Sequence, residues 1–229
     1  MFVIFPFEEK LYREAGLPCD FVGHPLLDIL PEPAPNKSLT PPLKVGLLPG
    51  SRASEIKRHL PVFLKAFALL RQNFPDAEAH VFAAPAQPDS AYDISSEPKA
   101  KIVREADYRT RAGLDIAFCS SGTATLENAL LGVPMVVVYK MFWPTYAVAR
   151  AIIRVKNIAM ANILAGKTLV PELIQSEATP EGVARAALGL LEDPRRYMRL
   201  RDELLSLRAQ LGTPGSAERA AQAILRDLG

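Results

Sequence analysis

Hydrophobic positions along this chain follow two periods. Beyond residue 42, short apolar runs at Lys44–Leu48, Ala79–Ala83, Lys101–Val103, Asp115–Phe118 and Met135–Tyr139 alternate with stretches of helical period. Runs of this length bounded by turn-forming residues predict strands, and helices between them predict an α/β fold built on a doubly wound parallel sheet. Pro61 is read as opening a helix over Val62–Gln72, in which Phe63, Ala66, Phe67 and Leu70 share one face that covers the sheet. From Thr179 onward the pattern is helical only, with starts at Thr179-Pro180, Asp193-Pro194 and Ser216, each a capping residue near a helix opening.

Ahead of the alternating region, Phe2–Phe5 reads as a strand, Glu8–Ala15 as a short helix ended by Gly16 and Pro18, and Asp20–Gly23 as a second apolar stretch. The segment Pro31–Pro42 holds five of the chain's twenty prolines, which favours an extended connector. These features divide the chain into a leading unit over 1–30, a Pro-rich linker over 31–42 and an α/β domain with terminal helices over 43–229. A first strand with no lead-in is read as the last part of a domain whose remainder lies upstream.

Composition narrows the classes. With 229 residues and 49% apolar content the chain can bury a core, and a net charge of +2 gives no reason to expect nucleic acid. Cys19 and Cys119 have no spacing that suggests a disulfide framework or zinc, so a reducing cytoplasm fits. The longest charge-free run, Asn128–Tyr139, is twelve residues and too short to span a bilayer. His24, His59 and His80 are too scattered for a ligand pair and no Asp-x-Asp occurs, so neither a metal nor another cofactor is expected. Nucleophile-elbow and Walker-loop patterns are missing, which removes the main support for hydrolase and P-loop readings.

Two turns carry candidate chemistry. Pro49-Gly50-Ser51-Arg52 follows the first strand after the linker, at the edge where open α/β sheets collect ligands. Gly50 allows close backbone approach, the helix N-terminus presents free N–H groups to phosphate, and the Arg52 guanidinium suits a diphosphate oxygen. The plainer reading is a tight turn with a solvated arginine. The second turn, Ser120-Ser121-Gly122-Thr123, opens a helix whose dipole favours an anion, and Glu127 one turn further in can accept hydrogen bonds from a ribose diol. A capping-box role for Glu127 would need Ser or Thr three positions earlier, where Ala124 stands, although a solvated helix glutamate stays open.

A third region, Lys140–Pro171, contains Lys140, Arg150, Arg154, Lys156 and Lys167 with no acidic residue, and Phe142, Trp143 and Tyr146 near its start. Basic groups with aromatics suit an anionic membrane surface; a sheet-covering helix with basic ends is the alternative. Asn162, in its tail, is a candidate polar contact for a sugar or base.

The ordered segments FPFEEKLYREAGLPCDFVGHPLLD, LLPGSR, SSGTATLE, GVPMVVVYK and NILAGKTLVPELIQ resemble lipid-A-disaccharide synthase. The resemblance implies the C-terminal, Rossmann-like half of a GT-B glycosyltransferase. It implies metal-independent, inverting transfer of a diacylglucosamine from its UDP donor to a diacylglucosamine 1-phosphate acceptor, a lipid monosaccharide phosphate. Carried over by position, Gly50, Ser51, Arg52, Ser121, Gly122, Thr123, Glu127 and Asn162 fall on donor-binding positions, while the catalytic base is expected from an N-terminal acceptor domain. It further implies a cytoplasmic chain peripheral to the inner membrane and a homodimer that exchanges terminal helices. The rivals are a non-catalytic UDP-sugar-binding module and another GT-B-like UDP-N-acetylglucosamine enzyme.

Overall fold

The computed structural model describes residues 1–33, 38–140 and 157–228. In chain order, β1 (Phe2–Val3), α1 (Pro6–Glu14), β2 (Asp20–Phe21) and α2 (Leu26–Ile29) precede β3 (Lys44–Leu48). Next come α3 (Ala53–Leu70), β4 (Glu78–Phe82), β5 (Ala100–Val103), α4 (Arg109–Ala112), β6 (Ile116–Ser120), α5 (Thr123–Leu130) and β7 (Met135–Tyr139). Beyond residue 156 follow α6 (Met160–Ala165), β8 (Glu172–Ile174), α7 (Pro180–Leu191), α8 (Pro194–Gln210) and α9 (Ser216–Leu228).

Six strands form one sheet in the order β5-β4-β3-β6-β7-β8, every pair parallel. The chain builds outward from β3 to one edge, then crosses to β6 and builds to the other, so the doubly wound sheet read from the sequence is the one observed. Val45 and Leu47 in β3 and Ile116 through Cys119 in β6 are fully buried. A strand buried on both faces needs this continuous apolar run and cannot show alternation. Helix α3 packs against α7, and α5 packs against α6 and α8.

Two of the three terminal helices start where their expected capping residues stand, whereas Ser216 is the first helical residue of α9 and its hydroxyl donates to Asp28 instead of capping. Thr179 Oγ1 accepts from the Gly182 N–H at 3.0 Å and Asp193 Oδ1 from the Arg195 N–H at 2.9 Å, with Pro180 and Pro194 at first-turn positions where no N–H is missed.

Helix α3 departs from the expected Val62 start. It begins at Ala53 and carries Pro61 inside it. Ile56, His59 and Leu60 are as buried as Phe63 and Leu64, so the core-facing stripe runs straight past an exposed proline ring. Burial of that added turn and more outweighs one lost backbone hydrogen bond. Strand β8, three residues long, was not anticipated either.

In the leading unit, β1 and β2 pair in parallel, with Phe2 opposite Asp20. Leu26, Leu27 and Leu30 join the same hydrophobic core as the sheet. The far end of the chain returns here. Asp28 accepts from the Gly215 N–H at 2.5 Å and the Ser216 hydroxyl at 2.8 Å, and Arg219 Nε donates to the Val22 carbonyl at 2.9 Å.

Among the described residues no helix is long and apolar enough to cross a membrane. Half of the basic, aromatic segment, Phe142, Trp143, Tyr146, Arg150, Arg154 and Lys156 included, lies outside the described residues. Of its remaining members, Lys140 Nζ donates to the Ala178 carbonyl and Lys167 pairs with Glu203.

Candidate functional site

Strands β3 and β6 are neighbours whose continuations run to opposite sides, and in such sheets the crevice beyond the strand ends is where ligands collect. A cavity of about 700 Å³ opens there. It is lined by Gly50, Ser51 and Arg52 from the turn into α3, by Ser121, Gly122, Thr123 and Glu127 from the turn into α5, and by Phe82, Glu105, Tyr108 and Arg111 from the β4 and β5 side. Seven of the eight residues singled out in the sequence are thus brought to one cavity.

At the α3 turn Gly50 has φ 116°, and a Cβ there would stand 2.7 Å from that of Glu55. Only glycine fits this close approach. It lets Glu55 fold back over the helix start, where Oε2 accepts from the N–H groups of Ser51 at 3.0 Å and Arg52 at 3.3 Å, and Oε1 from Arg52 Nη1 at 2.8 Å. Burial pulls the Glu55 carboxyl upward, but the Arg52 guanidinium and the two N–H groups outweigh it and hold the group below its usual range. The expectation of free N–H donors at this turn is therefore corrected at Ser51 and Arg52, where an internal carboxylate takes both groups. Beneath the turn, His59 Nδ1 lies 2.9 Å from the Pro49 carbonyl, which can only accept, so Nδ1 carries the hydrogen. Burial lowers the His59 pKa and keeps the ring neutral.

The α5 turn is open. Gly122 is the N-cap and supplies no side-chain cap, and a Cβ there would meet nothing within 4 Å. Among the described residues, the N–H groups of Gly122, Thr123 and Ala124 have no acceptor, while Gly122 and Thr123 are exposed. Three hydrogen bonds hold the turn from behind. The Ser121 N–H donates to the Val138 carbonyl at 3.1 Å, and Thr125 Oγ1 donates to the Gly122 carbonyl at 2.8 Å and accepts the Met160 N–H at 3.2 Å.

Glu127 is neither a cap nor a solvated surface charge. Its Oε2 pairs with Arg111 Nη1, and its Oε1 accepts from the Tyr108 hydroxyl at 3.2 Å. The Arg111 guanidinium lies 5.1 Å from the ring centroids of both Phe82 and Tyr108, with Nε 3.8 Å from Glu105. Burial first, and then the Glu127 charge, raises the Tyr108 hydroxyl above its usual range. None of these partners was identified from the sequence. They come from other strand ends, and the only local signal was the charged cluster from Glu105 to Arg111 after the β5 run.

Asn162 is the exception among the sequence candidates. It is fully buried and does not line the cavity. Its Nδ2 donates to the Val170 carbonyl and to Glu172 Oε1, and its Oδ1 accepts the N–H groups of Leu169 and Val170 at 2.8 and 3.0 Å. With every donor and acceptor position used internally, Asn162 braces the β8 entry and has nothing left for a sugar or base. Cys119, fully buried and pushed up to about 12 by desolvation, is no nucleophile at neutral pH.

A doubly wound parallel sheet with a cavity at its switch point defines a Rossmann-like α/β domain of the GT-B type. Among solved structures with this fold are UDP-GlcNAc 2-epimerase from Neisseria meningitidis bound to UDP-GlcNAc (TM-score 0.61, 12% identity, 98% of this chain and 61% of that one) and an S. aureus MnaA–UDP co-structure (TM-score 0.61, 14% identity, 99% and 59%). The sequence narrows this to one family. Residues 1–226 match the lipid-A-disaccharide synthetase family, and the chain belongs to it. The lipid-A-disaccharide synthase of Syntrophus aciditrophicus is 42% identical over 96% of this chain, and that of Geobacter metallireducens is 40% identical over 100%. The chain spans 61 and 62% of the length of these two relatives.

Proposed function

We propose that the cavity between the α3 and α5 turns is the donor site of a lipid A glycosyltransferase. It binds a UDP-linked diacylglucosamine, with the sugar passing to a diacylglucosamine 1-phosphate and UDP leaving. The observation that carries this reading is the open set of N–H donors at Gly122–Ala124, facing a cavity that also holds Arg52 on its other wall. A diphosphate on the α5 start gains the helix-dipole field, and Arg52 can exchange its Glu55 partner for a phosphate oxygen. Glu127 is the acceptor for the ribose diol. Support comes also from the relatives' names and from the UDP and UDP-GlcNAc in the titles of the two solved structures.

The carboxylates that line the cavity are all engaged: Glu55 by its own turn, Glu105 by the N–H groups of Thr110 and Arg111, and Glu127 by Arg111 and Tyr108. No free base for the acceptor hydroxyl stands among them. We assign the base, the acceptor contacts and the remainder of the leading unit's domain to the part of the relatives' length that this chain does not span. The same observation favours a second reading, a UDP-sugar-binding module without turnover of its own. Calorimetric titration of the purified chain with UDP, without added metal, tests the donor site. Binding that weakens about tenfold or more in both Arg52→Ala and Glu127→Ala is expected. A folded chain that binds no UDP would overturn the assignment. Turnover by the isolated chain would overturn the module reading.

A further inference from the structure

Glu127 is held by a rigid stack of residues rather than by solvent. Arg111 and Glu127 side chains are 13 and 14% exposed, and their ion pair forms one wall of the cavity. The guanidinium is flanked by the rings of Phe82 and Tyr108, and Glu105, which sits beside Nε, is itself fixed by the N–H groups of Thr110 and Arg111. A planar cation pinned on aromatic surfaces does not follow its partner; the carboxylate must take the orientation the guanidinium allows. Tyr108 contributes from a left-handed backbone conformation, φ 59°, uncommon for an aromatic residue, and its hydroxyl meets the other carboxylate oxygen. One donor thus occupies each oxygen, and each oxygen keeps a second acceptor position.

We infer that Arg111, assisted by Tyr108, is a positioning residue that presents both oxygens of Glu127 to a vicinal diol, and so makes the site selective for ribonucleotides over 2′-deoxyribonucleotides. This rests on the donor-site reading above. With the carboxylate fixed, a ligand lacking one hydroxyl leaves a desolvated acceptor unpaired, and that penalty is the selectivity. With the carboxylate free to rotate, it could turn to water and the penalty would fade.

The test is titration of UDP and 2′-deoxy-UDP into the parent chain, Arg111→Met, Arg111→Lys and Tyr108→Phe, each checked for folding by thermal melt. The parent should prefer UDP by about tenfold or more. Arg111→Met should lose about tenfold for UDP and less than about twofold for 2′-deoxy-UDP, so that the preference collapses. Arg111→Lys, which keeps the charge without the planar fork, should restore only part of it, and Tyr108→Phe should narrow it by a smaller factor. Equal weakening for both ligands would make Arg111 merely structural and overturn the inference, as would an unchanged preference. If Arg111→Met does not fold, an unchanged preference in Tyr108→Phe and Arg111→Lys overturns it instead. A parent that binds no UDP overturns the donor-site reading and this inference with it, whereas a parent that binds UDP without preferring it over the deoxy form overturns this inference alone.

Discussion

At the turn into α3 the N–H groups of Ser51 and of the N-cap Arg52 are taken by Glu55 Oε2, while at the turn into α5 the Ser121 N–H donates to the Val138 carbonyl and that of the N-cap Gly122, like those of Thr123 and Ala124, has no acceptor among the described residues. Both turns follow central strands of one sheet, both contain Gly and Ser, and both face the same cavity. The third helical position separates them. It holds Glu55 in α3, where the carboxylate reaches back over the N-cap, and Thr125 in α5, where the hydroxyl turns inward to the Gly122 carbonyl. The N-cap N–H of one helix is thereby taken by the protein's own anion, and that of the other is left for a ligand's. A glycine and a serine before a helix do not make an anion site; what occupies the third position decides it.

Giving the α5 turn a carboxylate of its own should break this contrast most severely. Thr123→Asp places a negative charge at the open helix start, where it stabilises the helix slightly but repels a diphosphate. UDP affinity measured by calorimetry should fall by about a hundredfold or more, with the thermal midpoint held or raised. Unchanged affinity would mean that the phosphates lie elsewhere.

The glycines come next. Gly50→Ala combines a strained φ with a clash against Glu55, whereas Gly122→Ala meets strain but open space. Denaturant unfolding should show a loss of about 2 kcal/mol for the first and about 1 kcal/mol for the second. The reverse order would show that Glu55 does not close over the α3 turn.

The smallest effect concerns what anchors each turn from behind, His59 under one and Thr125 under the other. The His59 pKa is lowered from 6.5 by burial, so the unfolded chain binds the proton more readily than the folded one. Its contribution is complete above pH 6.5 and is lost as pH falls toward the depressed folded value. His24 and His80 are shifted in the same direction. Unfolding free energy should therefore drop between pH 7.5 and 5.5, and His59→Gln should flatten that slope by less than about 1.4 kcal/mol per pH unit. A slope identical to the parent's would remove His59 from the account.

Those parts of the fold that depend on local sequence were legible. Strands β3 and β7 begin and end where their apolar runs do, and α7 and α8 open at the Thr-Pro and Asp-Pro pairs that cap them. What could not be read depends on distant partners. Pro61 looked like a helix start because nothing local reveals that Ile56 and Leu60 ahead of it enter the core. Asn162 looked available because Val170 and Glu172, which consume its donors and acceptors, are brought back to it only by the turn into β8. Arg111 gives no local signal of its role, because that role requires Phe82 from β4 and Glu127 from α5. At the α3 turn, Glu55 was in plain view three residues after Arg52, yet the back-folded carboxylate needs Gly50 at φ 116° to make room.

The return of α9 to the leading unit has a consequence for synthesis on the ribosome. The carbonyl of Val22 and the carboxylate of Asp28 find their partners at Arg219 and at Gly215–Ser216, almost two hundred residues later. At roughly 5–20 residues per second the leading unit would wait on the order of 10–40 s for them. During that interval the central strands can already pair. The Val22 and Asp28 contacts are thus among the last to form, and a stall before Arg219 would leave the sheet assembled while those two groups still lack their partners.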